Sequence, residues 1–173
     1  MPQIIKDRAV VNDDWEVLHL SEDDTADTVT VPTGKIIVPL KVWLLQKASL
    51  EQRSEIGVWF SSDEQAKELG ADIQRFSVIA IDFPKFADGR GYSIAYNLRN
   101  RFGYSGELRA IGDVLRDQLF YMQRVGFNAF AVRADKNIHD ALKSLSDFSE
   151  KYQTSVDEPQ PLFRRLNRLG ATT

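Results

Sequence analysis

The stretch Phe83-Pro84-Lys85-Phe86-Ala87-Asp88-Gly89-Arg90-Gly91-Tyr92-Ser93 gathers the residue types that hold anions. Arg90 can present a planar fork of donors to a carboxylate, a phosphate or a sulfur oxyanion. Gly89 and Gly91 flank it, freeing backbone angles closed to other residues and letting a ligand approach the main chain. Ser93 falls near the start of a following helix, where unpaired N–H groups favour negative charge. Lys85 adds a cation, while Phe86 and Tyr92 can wall a pocket. Arg109 and Arg133 are expected near the ends of the next two strands, so that positive charge converges on one edge. A plainer reading competes: Asp-Gly is common turn chemistry, Asp88 caps the turn and Arg90 is a solvated surface charge.

Other chemistries find less support. Asp113 and Asp117 stand one helical turn apart, and Asp88 or Asp113 are the candidates for acid–base work. Capping better explains Asp113, with Asp117 a first-turn acid facing the helix dipole. Gly89-Arg90-Gly91 begins like a dinucleotide fingerprint, but Ile94 stands where the third small residue belongs. There is no phosphate-binding P-loop and no serine in a nucleophile elbow. His19 and His139 lack ligand-spaced companions, so no metal is expected. Cysteine is absent, which removes thiolate and disulfide chemistry. The sequence specifies no cofactor.

These residues need a scaffold. Ile36-Ile37-Val38-Pro39-Leu40 reads as a buried strand leading to a helix with Trp43, Leu44 and Leu50. Gly57-Val58-Trp59-Phe60 is the next strand, and Ser62-Asp63-Glu64-Gln65 reads as a capping box opening a helix that stops at Gly70. Val78-Ile79-Ala80-Ile81-Asp82-Phe83 is unbroken and apolar, the pattern of a central parallel strand. Tyr92, Ala95, Leu98 and Phe102 recur at helical spacing. A strand at Glu107–Ala110, a helix with Leu115, Leu119, Met122 and Gly126, a strand at Asn128–Val132 and a helix with Ile138, Leu142, Leu145 and Phe148 complete the series. Strands alternating with helices predict an α/β fold with a mostly parallel sheet of about five βα units. Both an open three-layer sheet and a partial barrel fit. In such folds ligands sit beyond the carboxyl ends of the strands, where segments 83–93, 110–113 and 133–136 are expected.

Before these units, Gln3-Ile4-Ile5, Ala9-Val10-Val11 and Trp15-Glu16-Val17-Leu18 suggest a small antiparallel meander, followed by a polar loop to residue 34. The whole reads as one domain over 1–173: meander and loop (1–34), βα units (35–150) and a tail (151–173). Within the tail, Pro161–Leu169 is basic and amphipathic, read as a terminal helix on its own domain or, less favourably, as a partner-docking segment. Length 173, 43% hydrophobic and 27% charged residues describe an ordinary globular chain. A net charge of −3 offers no global field for nucleic acid or anionic lipid. No apolar run approaches a membrane span and the N-terminus lacks a signal pattern, so the expected address is the cytoplasm.

The residues from Phe83 to Ser93, with Leu98-Arg99, Gly106-Glu107-Leu108-Arg109-Ala110 and Gly112-Asp113-Val114-Leu115, resemble a family of small bacterial proteins of unknown function. Members are often labelled oxidoreductases of sulfite reduction. Asp14-Trp15 and Ile37-Val38-Pro39-Leu40 with Trp43 carry the same likeness. The resemblance implies an accessory role in assimilatory sulfate or sulfite reduction, with sulfite reductase or another sulfur-assimilation protein as partner; the arginine-rich, helix-N-terminal edge adds a small anion as ligand. It implies no catalytic residue. Asp88, Gly89, Arg90, Ser93, Arg99, Arg109 and Asp113 are the motif positions to test. An oxidoreductase with an unrecognised cofactor site and a non-catalytic interaction module are the alternatives.

Overall fold

The computed structural model of the protein describes residues 1–147 and 154–161. Its strands are β1 (Gln3–Lys6), β2 (Ala9–Asn12), β3 (Glu16–Val17), β4 (Ile36–Pro39), β5 (Ile56–Phe60), β6 (Val78–Phe83), β7 (Glu107–Gly112) and β8 (Ala129–Phe130). The α-helices are α1 (Leu40–Leu50), α2 (Arg90–Asn100), α3 (Arg116–Val125) and α4 (Ile138–Ser144), with a 3-10 segment, Ala66–Arg75, between β5 and β6. The strands form one sheet in the order β2-β1-β8-β7-β6-β5-β4-β3. Neighbours are parallel from β3 through β8, whereas β1 is antiparallel to both β2 and β8. The fold is thus mixed α/β with a mostly parallel sheet, curled into a half-barrel.

From β4 to β8 each strand lies one step beyond its predecessor. Right-handed crossovers in a sheet that steps one way must all fall on the same face. That face carries the large core, in which Val38, Val58, Ile79, Ile81 and Phe83 pack with Trp43, Leu98, Leu119 and Met122. The opposite face carries a small cluster of Ile37, Val78, Ala80 and Ile111, against which Trp15, Val17 and Trp59 lie. β6 is buried on both sides, which is why its sequence is apolar without alternation. Each fully buried branched side chain there contributes about 1.5–3 kcal/mol.

Two expectations about elements are corrected. Residues 15–18 do not complete an antiparallel meander: β1 and β2 form a hairpin, and β3 pairs parallel with β4 at the far edge of the sheet. Trp15 and Val17 are drawn there because the small cluster offers them an apolar surface. The segment after Ser62 is also different. It starts at Ala66, is 3-10 rather than α, and passes through Gly70 (φ +52) to reach Arg75. Gly70 breaks its dihedrals but does not end it. Phe148 and the tail segment 162–169 lie outside the described residues. Among those described, no helix is long and apolar enough to cross a membrane.

Candidate functional site

The loop after β6 closes onto the first turn of α2 through one carboxylate. Asp88 Oδ1 accepts from the Arg90 backbone N–H (3.2 Å) and from Nε (3.0 Å), and Oδ2 accepts from Nη2 (2.7 Å). Arg90 Nη2 also donates to Ser62 Oγ at 2.8 Å, tying the loop to the segment after β5. A guanidinium has five N–H donors; Nε and Nη2 are committed here, while Nη1 keeps two. The Arg90 side chain remains 62% exposed. It is therefore oriented but available. The Arg90 guanidinium, then the Ser62 hydroxyl, hold the Asp88 carboxyl well below the ordinary carboxylate range. Ser62 thus serves Arg90 and Asp88 rather than a helix cap, and Gln65 precedes the 3-10 segment, its N–H donating to Glu68 (2.7 Å).

Arg90 faces a cleft of about 480 Å³ between the 3-10 segment and α2. Ser62, Lys67, Ser93, Asn97 and Arg101 share its walls, as do Asp63 and Glu64. Among the described residues, the Lys67 and Arg101 side chains make no hydrogen bond or ion pair. Three cations thus face two carboxylates, and the hydroxyl and amide donors line the space between them. This arrangement can hold a small oxyanion by charge-assisted hydrogen bonds.

The glycines have another purpose than the one expected of them. Gly89 has an ordinary φ of −87, and a Cβ there would meet only the Tyr92 ring at 3.8 Å. Gly91 is buried, and a Cβ would stand 2.8 Å from Phe83 Cζ and 3.0 Å from Ile81 Cγ2. It lets α2 seat on β6; it does not open the main chain to a ligand. Tyr92 turns away from the cleft, packing between Phe83 (5.2 Å) and Tyr121 (5.0 Å), and burial pushes its hydroxyl pKa up. Lys85 and Phe86 are exposed on the loop.

Neither of the other two arginines expected at this edge lines the Arg90 cleft. Arg109 is the third residue of β7, not near its end, and is only 1% exposed. It donates from Nη1 to both oxygens of Asp13 (3.0 and 2.9 Å) and from Nε to Glu107 (2.7 Å). It lines a different cavity, of about 450 Å³, with Lys6 and Trp15. Arg133 is bound to Asp135 through Nε and Nη2 (both 2.7 Å) and to Asp113 through Nη1 (2.8 Å). Those two carboxylates raise its already high pKa. Asp113 does not cap α3, whose N-cap is Leu115; its Oδ2 accepts from the Phe86 N–H at 3.0 Å, fastening the loop. Arg99 donates to the carbonyls of Gly126, Tyr104 and Gly106 and is a structural clamp.

A family model described as a bacterial protein of unknown function (DUF934) matches residues 57–163. The chain belongs to that family. The match spans the cleft and its loop. No curated protein and no solved structure matches the chain.

In this DUF934 chain, sequence reasoning missed the cleft's far wall. Lys67 and Arg101 are single exposed cations with no motif around them. Ser62 carried a signal, but one that pointed to capping. The sequence also offers Asp82, at the end of β6, to orient Arg90 or Arg109 or to satisfy local backbone donors, but both arginines pair with other carboxylates. The Asp82 carboxyl is half-buried and, among the described residues, has no hydrogen-bond partner. Burial raises its pKa, His19 lowers it and Asp88 raises it. Gly112 (φ +88) makes the room, since a Cβ there would stand 2.4 Å from Asp82 Oδ1.

Proposed function

We propose that this DUF934 protein is an accessory factor of assimilatory sulfite reduction that holds a sulfur oxyanion in the cleft beside Arg90. The carrying observation is the cleft itself: Arg90, pre-oriented by Asp88 and Ser62, opposite Lys67 and Arg101. An oxyanion replaces water on donors that the fold already aims, so little ordering cost opposes binding. The sulfur element of the reading comes from the family likeness of the 83–115 motifs, and a sulfite reductase is the partner to which the loaded protein would deliver or present its ligand. The exposed Lys85 and Phe86 on the neighbouring loop give that partner a contact surface beside the ligand.

The test is thermal stability of the purified protein with sulfite, sulfate and phosphate. A ligand that prefers the native state raises Tm, by about 2–4 °C for each kcal/mol at this size. Sulfite is expected to raise Tm, and Arg90→Ala to abolish the shift while leaving the circular dichroism spectrum unchanged. If no oxyanion moves Tm, or if the shift persists when Arg90, Lys67 and Arg101 are all replaced by alanine, the cleft is not an anion site. Copurification with sulfite reductase, lost in Lys85→Glu, tests the partner separately.

A further inference from the structure

At the same sheet edge, three successive parallel strands deliver chemistry to one small cavity. The chain leaving β3 supplies His19 and Leu20, the junction of β4 and α1 supplies Pro39 and Lys41, and the end of β5 supplies Trp59, Ser61 and Glu64. The cavity holds about 240 Å³, below the roughly 300–1,000 Å³ of drug-sized ligand sites, which limits an occupant to a small metabolite. Its walls are set rather than loose. The Trp59 Nε1 donates to the Leu18 carbonyl at 3.0 Å, and the His19 ring lies 5.7 Å from the Trp59 ring. The Glu64 Oε2 accepts from the Ser61 N–H at 2.7 Å, and the Ser61 hydroxyl also acts on this carboxylate.

The telling feature is two opposite charges that line one cavity without meeting. Lys41 acts on Glu64 through space, yet the two form no ion pair, and Lys41 has no hydrogen bond to any described residue. Burial is the main influence on Glu64 and disfavours its ionised form. A ligand with a cationic donor would relieve that cost. A ligand with an anionic end would find Lys41. Leu20, Pro39 and the Trp59 ring offer an apolar wall between them.

We propose that this cavity binds a small zwitterion of the α-amino acid type, its carboxylate on Lys41, its ammonium on Glu64 and its side chain against Trp59. His19 lines the same cavity as a further hydrogen-bonding group. The cavity is a different one from the Arg90 cleft, and Glu64 borders both.

The experiment uses the full chain, tryptophan fluorescence and thermal shift, with each common L-amino acid and with propionate and propylamine as half-ligands, all at millimolar concentration. At least one amino acid is expected to change the fluorescence and raise Tm, binding roughly tenfold or more tighter than propionate, since a charge-assisted hydrogen bond contributes a factor of that order. Lys41→Met should lose most of the affinity. Glu64→Gln should bring the amino acid down to the level of propionate, and Arg90→Ala should leave both unchanged. No response to any amino acid, equal binding of propionate, or full binding in Lys41→Met would each overturn the proposal. Lys41 is exposed and without a structural partner, so its variant keeps the fold and decides the matter even if Glu64→Gln is unstable.

Discussion

Arg90 enters its cleft already paired, and this shapes how the site responds to pH. A carboxyl whose folded pKa is depressed adds stability above its unfolded pKa and loses it only as pH falls through the lower folded value. Arg90 holds Asp88 well below the ordinary carboxylate range. The pair therefore stays intact throughout mild acid, and oxyanion affinity measured by titration calorimetry should not change on its account between about pH 8 and 5. Asp82 behaves in the opposite sense, because burial raises its pKa. A raised folded pKa favours the folded state below the unfolded pKa, and the benefit disappears as pH rises through the folded value. At neutral pH the charged carboxyl is a burden. Asp82→Asn should then stabilise the protein by no more than about 1 kcal/mol, since half of the group still meets water. In urea denaturation the gain should be present at pH 7 and gone below about pH 4; a loss of stability at pH 7 would mean that Asp82 has a structural partner.

Elements decide which of these residues could be foreseen. The apolar run Val78–Phe83 marked a central strand, and that alone located the loop that follows it at the carboxyl edge. The role of Gly91 was hidden, because it depends on a Phe83 ring that packs beneath α2. Two glycines beside an arginine look the same in sequence whether they serve a ligand or a helix–sheet contact. Gly91→Ala separates the two. Overpacking at 2.8 Å from a buried ring should cost about 1–3 kcal/mol, lowering Tm by several degrees, whereas Gly89→Ala, which meets nothing closer than 3.8 Å, should leave Tm nearly unchanged. Arg109 was misjudged for a related reason. Its strand is predictable, but its partner Asp13 is 96 residues away and no local pattern connects them. The same distance hid the parallel pairing of β3, which tertiary packing of Trp15 and Val17 imposes on a segment too short to declare its neighbour.

At the scale of the molecule, the sheet changes direction where β1 meets β8, and a chain of charges crosses that seam. Lys6 on β1 bonds to Glu107 (2.7 Å), Glu107 to Arg109 (2.7 Å), and Arg109 to Asp13 (2.9 Å) beyond β2. The backbone contact at the seam is slight, since β8 is two residues long. The charge chain therefore does what the short ladder cannot, fixing the hairpin's register on the parallel sheet. Removing one member of a buried network leaves the others unpaired, at a cost of about 3–5 kcal/mol, a large part of the roughly 5–15 kcal/mol that holds a domain folded. Arg109→Met should lower the urea midpoint by that measure. Replacing Asp13 and Glu107 with apolar residues as well should recover most of the loss, because desolvated charges and well-packed apolar groups are close in net worth. If Arg109→Met alone shifted the stability by less than about 1 kcal/mol, the seam would be held by the apolar contacts of Ile5 and Phe130, and the buried charges would have to be explained by a ligand in the cavity that Arg109 lines.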